Sequence, residues 1–93
     1  IYSLPASIGK IKTLRNLYLG YNNPSDLARD FETLAQLPNL SVLNIKGDHI
    51  DTLPASIGKI KSLEYLELSE NQIKILPDEF SLLNNLKILY INN

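Results

Sequence analysis

Cysteine, methionine and tryptophan are absent from this 93-residue chain. Without cysteine there is no disulfide scaffold, no thiolate metal site and no cysteine nucleophile. An excess of one charge is also missing, because nine Lys and Arg stand against ten Asp and Glu. A near-neutral chain lacks the basic face of a typical nucleic-acid-binding domain and the polybasic patch that acidic membranes attract. Neither nucleic acid nor membrane is therefore expected as a partner. No apolar run approaches the ~20 residues of a membrane helix. No basic-then-apolar leader opens the chain, so no signal peptide is expected. Gly9, Gly20, Gly47 and Gly58 stand singly, which leaves no phosphate-cradling loop.

Leu and Ile are what the chain has in abundance, 29 of its 93 residues. They recur with a period, which is the first thing to establish in any such sequence. The segment Leu4–Lys12 (LPASIGKIK) returns unchanged at Leu53–Lys61, an offset of 49. A finer comparison divides that offset. Leu63-x-x-Leu66-x-Leu68-x-x-Asn71 matches Leu40-x-x-Leu43-x-Ile45-x-x-Asp48, 23 residues earlier, and Leu14-x-x-Leu17-x-Leu19-x-x-Asn22, another 26 back. A further copy starts at Leu86-x-x-Leu89-x-Ile91.

The pattern L-x-x-L-x-L-x-x-N with its L-P-x-x-[IF] continuation resembles the leucine-rich repeat family, in its short 23-residue class, along essentially the whole chain. The resemblance implies an α/β repeat solenoid: a right-handed superhelix with parallel strands on the concave side and short helical or 3₁₀ crossovers on the convex side. It divides the chain into a partial repeat 1–13, repeats 14–39, 40–62 and 63–85, and a partial repeat 86–93, expected to be a fragment of a longer array. Extracellular arrays of the family often carry cysteine-rich caps. Their absence points to an intracellular or bacterial setting, with the cytoplasm favoured.

The residues support this reading independently. In the third copy, alternation predicts Leu66 and Leu68 inward and Tyr65, Glu67 and Ser69 outward. A parallel strand needs a crossover of about a dozen residues to return. Leu53, Ile57 and Ile60 in one crossover, and Leu76, Phe80 and Leu83 in the next, supply apolar faces to cover the sheet. The 26-residue unit is expected to carry a true α-helix over roughly 24–36, with Asn23 as cap, Pro24 at its first position, and Leu27, Phe31, Leu34 and Ala35 on one face. Helices pack ~8–10 Å apart, farther than strands, so the stack is expected to curve. Gly9 and Gly58 are expected to end the short crossover turns in a left-handed conformation. Asn22 and Asn71 are expected to bridge the turn after the strand, since an amide both donates and accepts. Asp48, which can only accept, is expected to weaken or rearrange that ladder. At the ends of the stack Leu17, Leu19, Leu89 and Ile91 are expected to face water beside open strand edges, which would permit self-association.

Candidates for chemistry are few. His49 is the only histidine, and with Asp48 and Asp51 it supplies too few donors for a metal. Ser41 and Ser56 have no base to activate them. No catalytic residue, metal site or cofactor is expected. Asn39-Leu40-Ser41 fits the glycosylation acceptor pattern, a match that ten asparagines make easily by chance.

The outward strand positions carry the functional expectation. Read across the stack they form three rows: Asn16, Val42, Tyr65, Ile88; Tyr18, Asn44, Glu67, Tyr90; and Gly20, Lys46, Ser69, Asn92, with Tyr21 bordering them. β-propensity alone accounts for some of these aromatic and branched residues. The functional alternative is a protein-binding face, with Val42, Tyr65 and Ile88 as an apolar centre, Asn44, Lys46 and Glu67 as a polar surround, and Tyr18 and Tyr90 as anchors. The expected function is non-catalytic recognition of a protein partner. The alternatives are a self-assembling structural segment, or the recognition module of a larger signalling protein or enzyme.

Overall fold

The computed structural model describes residues 4–20 and 26–92. Four strands, β1 (Asn16–Tyr18), β2 (Val42–Asn44), β3 (Tyr65–Glu67) and β4 (Ile88–Tyr90), form one parallel sheet in chain order. The register is regular. Asn16, Val42, Tyr65 and Ile88 lie side by side, as do Leu17, Leu43, Leu66 and Leu89, and then Tyr18, Asn44, Glu67 and Tyr90. A slip of one residue would turn every inward leucine to water, so burial of one face fixes the pairing. The ladder continues past the strands, with the N–H of Leu19 donating to Asn44 O at 2.7 Å and that of Ile45 to Glu67 O at 3.0 Å.

The returning segments form a second layer. They comprise three 3₁₀ helices, η1 (Ala6–Lys10), η2 (Ala55–Lys59) and η3 (Asp78–Leu82), and one α-helix, α1 (Leu27–Leu34). Pro5, Pro54 and Pro77 precede the 3₁₀ helices in extended conformation. Two layers packed ~10 Å apart account for the shortest dimension of 19 Å. Between them Phe31, Leu34, Leu43, Ile45, Ile57, Leu63 and Leu66 are fully buried, and Leu53, Ile60 and Leu83 belong to the same core. Leu76 and Phe80 are half-buried at its margin.

Three expectations are corrected here. The α-helix runs Leu27–Leu34 rather than over 24–36, and its cap is Asp26, whose carboxylate accepts the Arg29 N–H at 3.1 Å. Its end comes early because Pro38 keeps Leu37 from helical conformation, and the chain closes with a tight turn from Gln36 N–H to Thr33 O. Asn23 and Pro24 lie outside the described residues, as do Tyr21 and Asn22.

Gly9 and Gly58 do not end their turns in left-handed conformation; they sit inside η1 and η2, and among the described glycines only Gly47 has positive φ, at 73°. What these two glycines allow is close approach between neighbouring crossovers. A Cβ on Gly58 would stand 2.5 Å from the carbonyl oxygen of Glu79, and one on Gly9 would stand 2.7 Å from Oε1 of Gln36.

Leu19 does not face water. It is 8% exposed and Leu17 is half-buried, because the crossover before β1 and the helix after it close over that end. At the other end Leu89 is half-buried, and Ile91 is exposed as expected.

The weakening expected at Asp48 concerns the turn over residues 21–25, which lies outside the described residues; one unit later, at Asn71, the turn is tightly knit. Asn71, 3% exposed, accepts the N–H groups of Asp48 and Ile50 at its Oδ1, both at 2.9 Å, and donates from Nδ2 to Ile45 O and Leu68 O, also at 2.9 Å. One amide thus satisfies buried backbone from two units. Asp48 is itself buried and held in this ladder through its own N–H. Gly47 and Glu70 occupy the same position in successive units and share the left-handed turn, with φ of 73° and 60°.

Candidate functional site

The outward face of the sheet is built from short strands, so only two outward residues per strand lie in regular pairing. On it Tyr18 is 67% exposed, Tyr90 46% and Ile88 45%, while Val42 and Tyr65 are half-buried. The inner strands are flanked on both sides and the outer ones on one, which orders these exposures. Tyr65 and Tyr90 lie diagonally on adjacent strands, with ring centroids 5.6 Å apart and planes at 60°. That edge-to-face geometry suits aromatic quadrupoles. Val42, Tyr65, Ile88 and Tyr90 therefore form one continuous apolar strip. Tyr18 stands apart from it on β1, beyond Asn44 and Val42.

Partial burial raises the Tyr65 phenol above its ordinary value, with further upward contributions from Tyr90, Glu67 and Tyr18. A raised folded-state value means that the neutral phenol is favoured by the fold. The associated stability is present below pH ~10, the unfolded value, and is lost as pH rises through the folded value. Urea unfolding across this alkaline range is expected to show a decline in midpoint that Tyr65→Phe reduces. Identical declines in both proteins would show that Tyr65 carries none of it.

The polar surround differs from expectation in one respect. Asn44 Oδ1 accepts the Lys46 N–H at 3.0 Å, and Glu67 Oε1 accepts the Ser69 N–H at 2.8 Å. Each side chain reaches two residues forward along its own chain to take a backbone N–H, a local bond typical of such residues, while the inter-strand ladder continues through Gly47 N–H to Ser69 O and Glu70 N–H to Asn92 O. One oxygen of each is therefore engaged in structure. Lys46 Nζ lies 3.5 Å from Glu70 Oε2 in an exposed pair, which salt screens readily. Ser69 is buried, and Gly20 permits close approach, since a Cβ there would meet Lys46 O at 2.9 Å.

Other candidate groups do not converge. His49 is exposed in a left-handed turn, φ 60°. Among the described residues no three His, Cys, Asp or Glu side chains are grouped to hold a metal, and no helix is long and apolar enough to cross a membrane. The amide of Asn39 donates to Lys12 O at 3.0 Å, so the glycosylation acceptor pattern coincides with a structural hydrogen bond.

Sequence reasoning missed the polar groups that tie unit to unit. Asp30, 1% exposed, accepts the Leu4 N–H at 3.1 Å, and the Ser56 hydroxyl donates to Ala28 O at 3.0 Å. Asp30 carried a legible signal, because it falls in the apolar stripe of Leu27, Phe31 and Leu34 at helical spacing. A carboxylate there, in the first turn, is also favoured by the helix dipole.

The family profile described as leucine-rich repeat region matches residues 1–93. No curated protein matches the chain. Among solved structures, a leucine-rich repeat protein of Leptospira interrogans superposes with a TM-score of 0.80 at 33% identity. The match covers 100% of this chain and 24% of that one, so this chain spans about a quarter of its length.

Proposed function

The chain belongs to the leucine-rich repeat family, and from that premise we propose that it binds a protein partner through the outward face of its parallel sheet. Members of the family commonly mediate protein–protein interaction as non-catalytic scaffolds. The observation that supports the reading is the strip of Val42, Tyr65, Ile88 and Tyr90, exposed or half-buried with no packing role on that side. Aromatic side chains of this kind are enriched at interface centres. The edge-to-face pair holds Tyr65 and Tyr90 in place, which reduces the ordering cost of binding. Tyr18 adds a separate anchor, and Lys46 and Glu67 border the strip with opposite charges.

Changing Tyr18, Tyr65 and Tyr90 together to Ala in the intact protein is expected to abolish capture of the partner, since a central anchor contributes about 2 kcal/mol or more. Glu79→Ala on the opposite layer is the control and is expected to retain capture. Circular dichroism establishes that both variants are folded. Equal capture by the two variants would move the binding surface off the sheet.

A further inference from the structure

The near-zero net charge conceals a segregation of charge across the fold. Six of the nine cations, Lys10, Lys12, Arg15, Lys59, Lys61 and Lys87, lie on the flank where the crossovers turn into the strands. Lys10 occupies in η1 the place of Lys59 in η2, and Lys87 precedes β4 as Arg15 precedes β1. Two of the six stand beside acids: Lys59 lies 2.8 Å from Glu32, and Lys87 lies 3.7 Å from Glu64. Four cations are left without a carboxylate within ion-pair distance among the described residues, and one of these, Lys12, rests on the carbonyl oxygens of Gly9 and Gln36 at 2.9 and 3.1 Å.

Arg15, Lys59 and Lys61 share a groove of about 590 Å³ on this flank, lined also by Leu37 and Pro38. Its neutral polar groups are already engaged with backbone. Asn39 donates to Lys12 O and Asn85 to Lys61 O, while Ser41 donates to Arg15 O and Ser62 to Leu40 O. What the groove offers a ligand is thus the exposed cations Arg15 and Lys61 beside Lys59, which is already paired with Glu32, an arrangement that raises the local concentration of anions.

We infer that this groove is a second docking site, distinct from the sheet face, for an acidic protein segment whose carboxylates engage Arg15 and Lys61. Glu64 lines the same groove. A nucleic-acid strand carries a phosphate at every nucleotide and would set one against that carboxylate. A polypeptide can place its acids at the two cations and a neutral residue opposite Glu64. Arginine further suits a carboxylate through its planar, two-pronged geometry.

The test uses the intact protein and a fluorescein-labelled oligoglutamate, followed by anisotropy at low and at physiological salt. Binding is expected to weaken with salt, and the double variant Arg15→Glu, Lys61→Glu is expected to lose about tenfold or more in affinity. Tyr65→Ala, on the sheet, is expected to bind the probe as the parent does, which separates this site from the sheet face. Unchanged melting curves establish that the exposed substitutions leave the fold intact. No binding by the parent, or equal binding by the double variant, would overturn the inference. Tighter binding of an oligothymidylate or of phosphatidylserine vesicles than of oligoglutamate, lost in the same variant, would overturn the assignment to an acidic protein.

Discussion

Asn71→Ala is expected to lower the free energy of unfolding by about 3–5 kcal/mol, at the upper end of what single substitutions do. The substitution would strip partners from the N–H groups of Asp48 and Ile50 and from the carbonyls of Ile45 and Leu68, all within the buried turn. Each such group left unsatisfied costs about 1–3 kcal/mol. Local relaxation and entry of water keep the total below the simple sum. Against a domain stability of about 5–15 kcal/mol, the loss is a large fraction of the whole. Asn71→Asp separates the two roles of the amide. It keeps an acceptor for the two N–H groups and removes the donors to Ile45 O and Leu68 O, so it is also expected to destabilise. Urea denaturation measures both variants. A loss under about 1 kcal/mol in Asn71→Ala, the net worth of a single ordinary hydrogen bond, would mean that the amide does not hold the two units together.

Gly58→Ala is expected to destabilise by about 1–3 kcal/mol, the usual range for overpacking. The same change in the identical sequence around Gly9 is expected to cost distinctly less. At Gly58 the new methyl would meet backbone, with Glu79 O at 2.5 Å and its carbonyl carbon at 3.1 Å, so η2 and η3 would have to separate. At Gly9 the close neighbour is the side-chain amide of Gln36 at 2.7 Å, and Gln36 is exposed and able to swing aside. The Thr33 carbonyl oxygen at 3.3 Å then remains as a mild contact. A substitution of Gly by Ala also stabilises by about 0.4–1 kcal/mol through the unfolded chain, which works against the clash at both sites. Thermal unfolding of the two variants side by side is the measurement. Equal losses would show that crossover spacing is not what these glycines serve.

These two residues show how differently sequence carries its information. Asn71 was legible because its role is periodic. It stands at a fixed distance after an alternating Leu-x-Leu segment, and an amide is a side chain able to satisfy both N–H and C=O groups of a turn. Gly58 was visible as a glycine in the same periodic frame, yet its reason was misread. A lone glycine suggests a left-handed turn, whereas here the constraint is a carbonyl 21 residues later in the chain. The outward rows of the sheet were legible for the same reason as Asn71, since a parallel register at constant unit spacing follows from the repeat. That the Asn44 and Glu67 side chains take the N–H groups of Lys46 and Ser69 was not, because it depends on which backbone N–H groups the neighbouring strand leaves to a side chain.

By itself, then, the sequence determined the architecture: a local pattern repeated at 26 and 23 residues specifies strand, turn and crossover in turn, and stacking follows because no single unit can bury its apolar face alone. Only the tertiary structure decided which polar and small residues join one unit to the next. Asp30 reaches Leu4, Ser56 reaches Ala28, and the glycines admit neighbouring segments. It also gathered the cations onto one flank, although the chain as a whole is nearly neutral. Those contacts and fields depend on the distance between neighbouring units, which a pattern repeated within each unit does not encode.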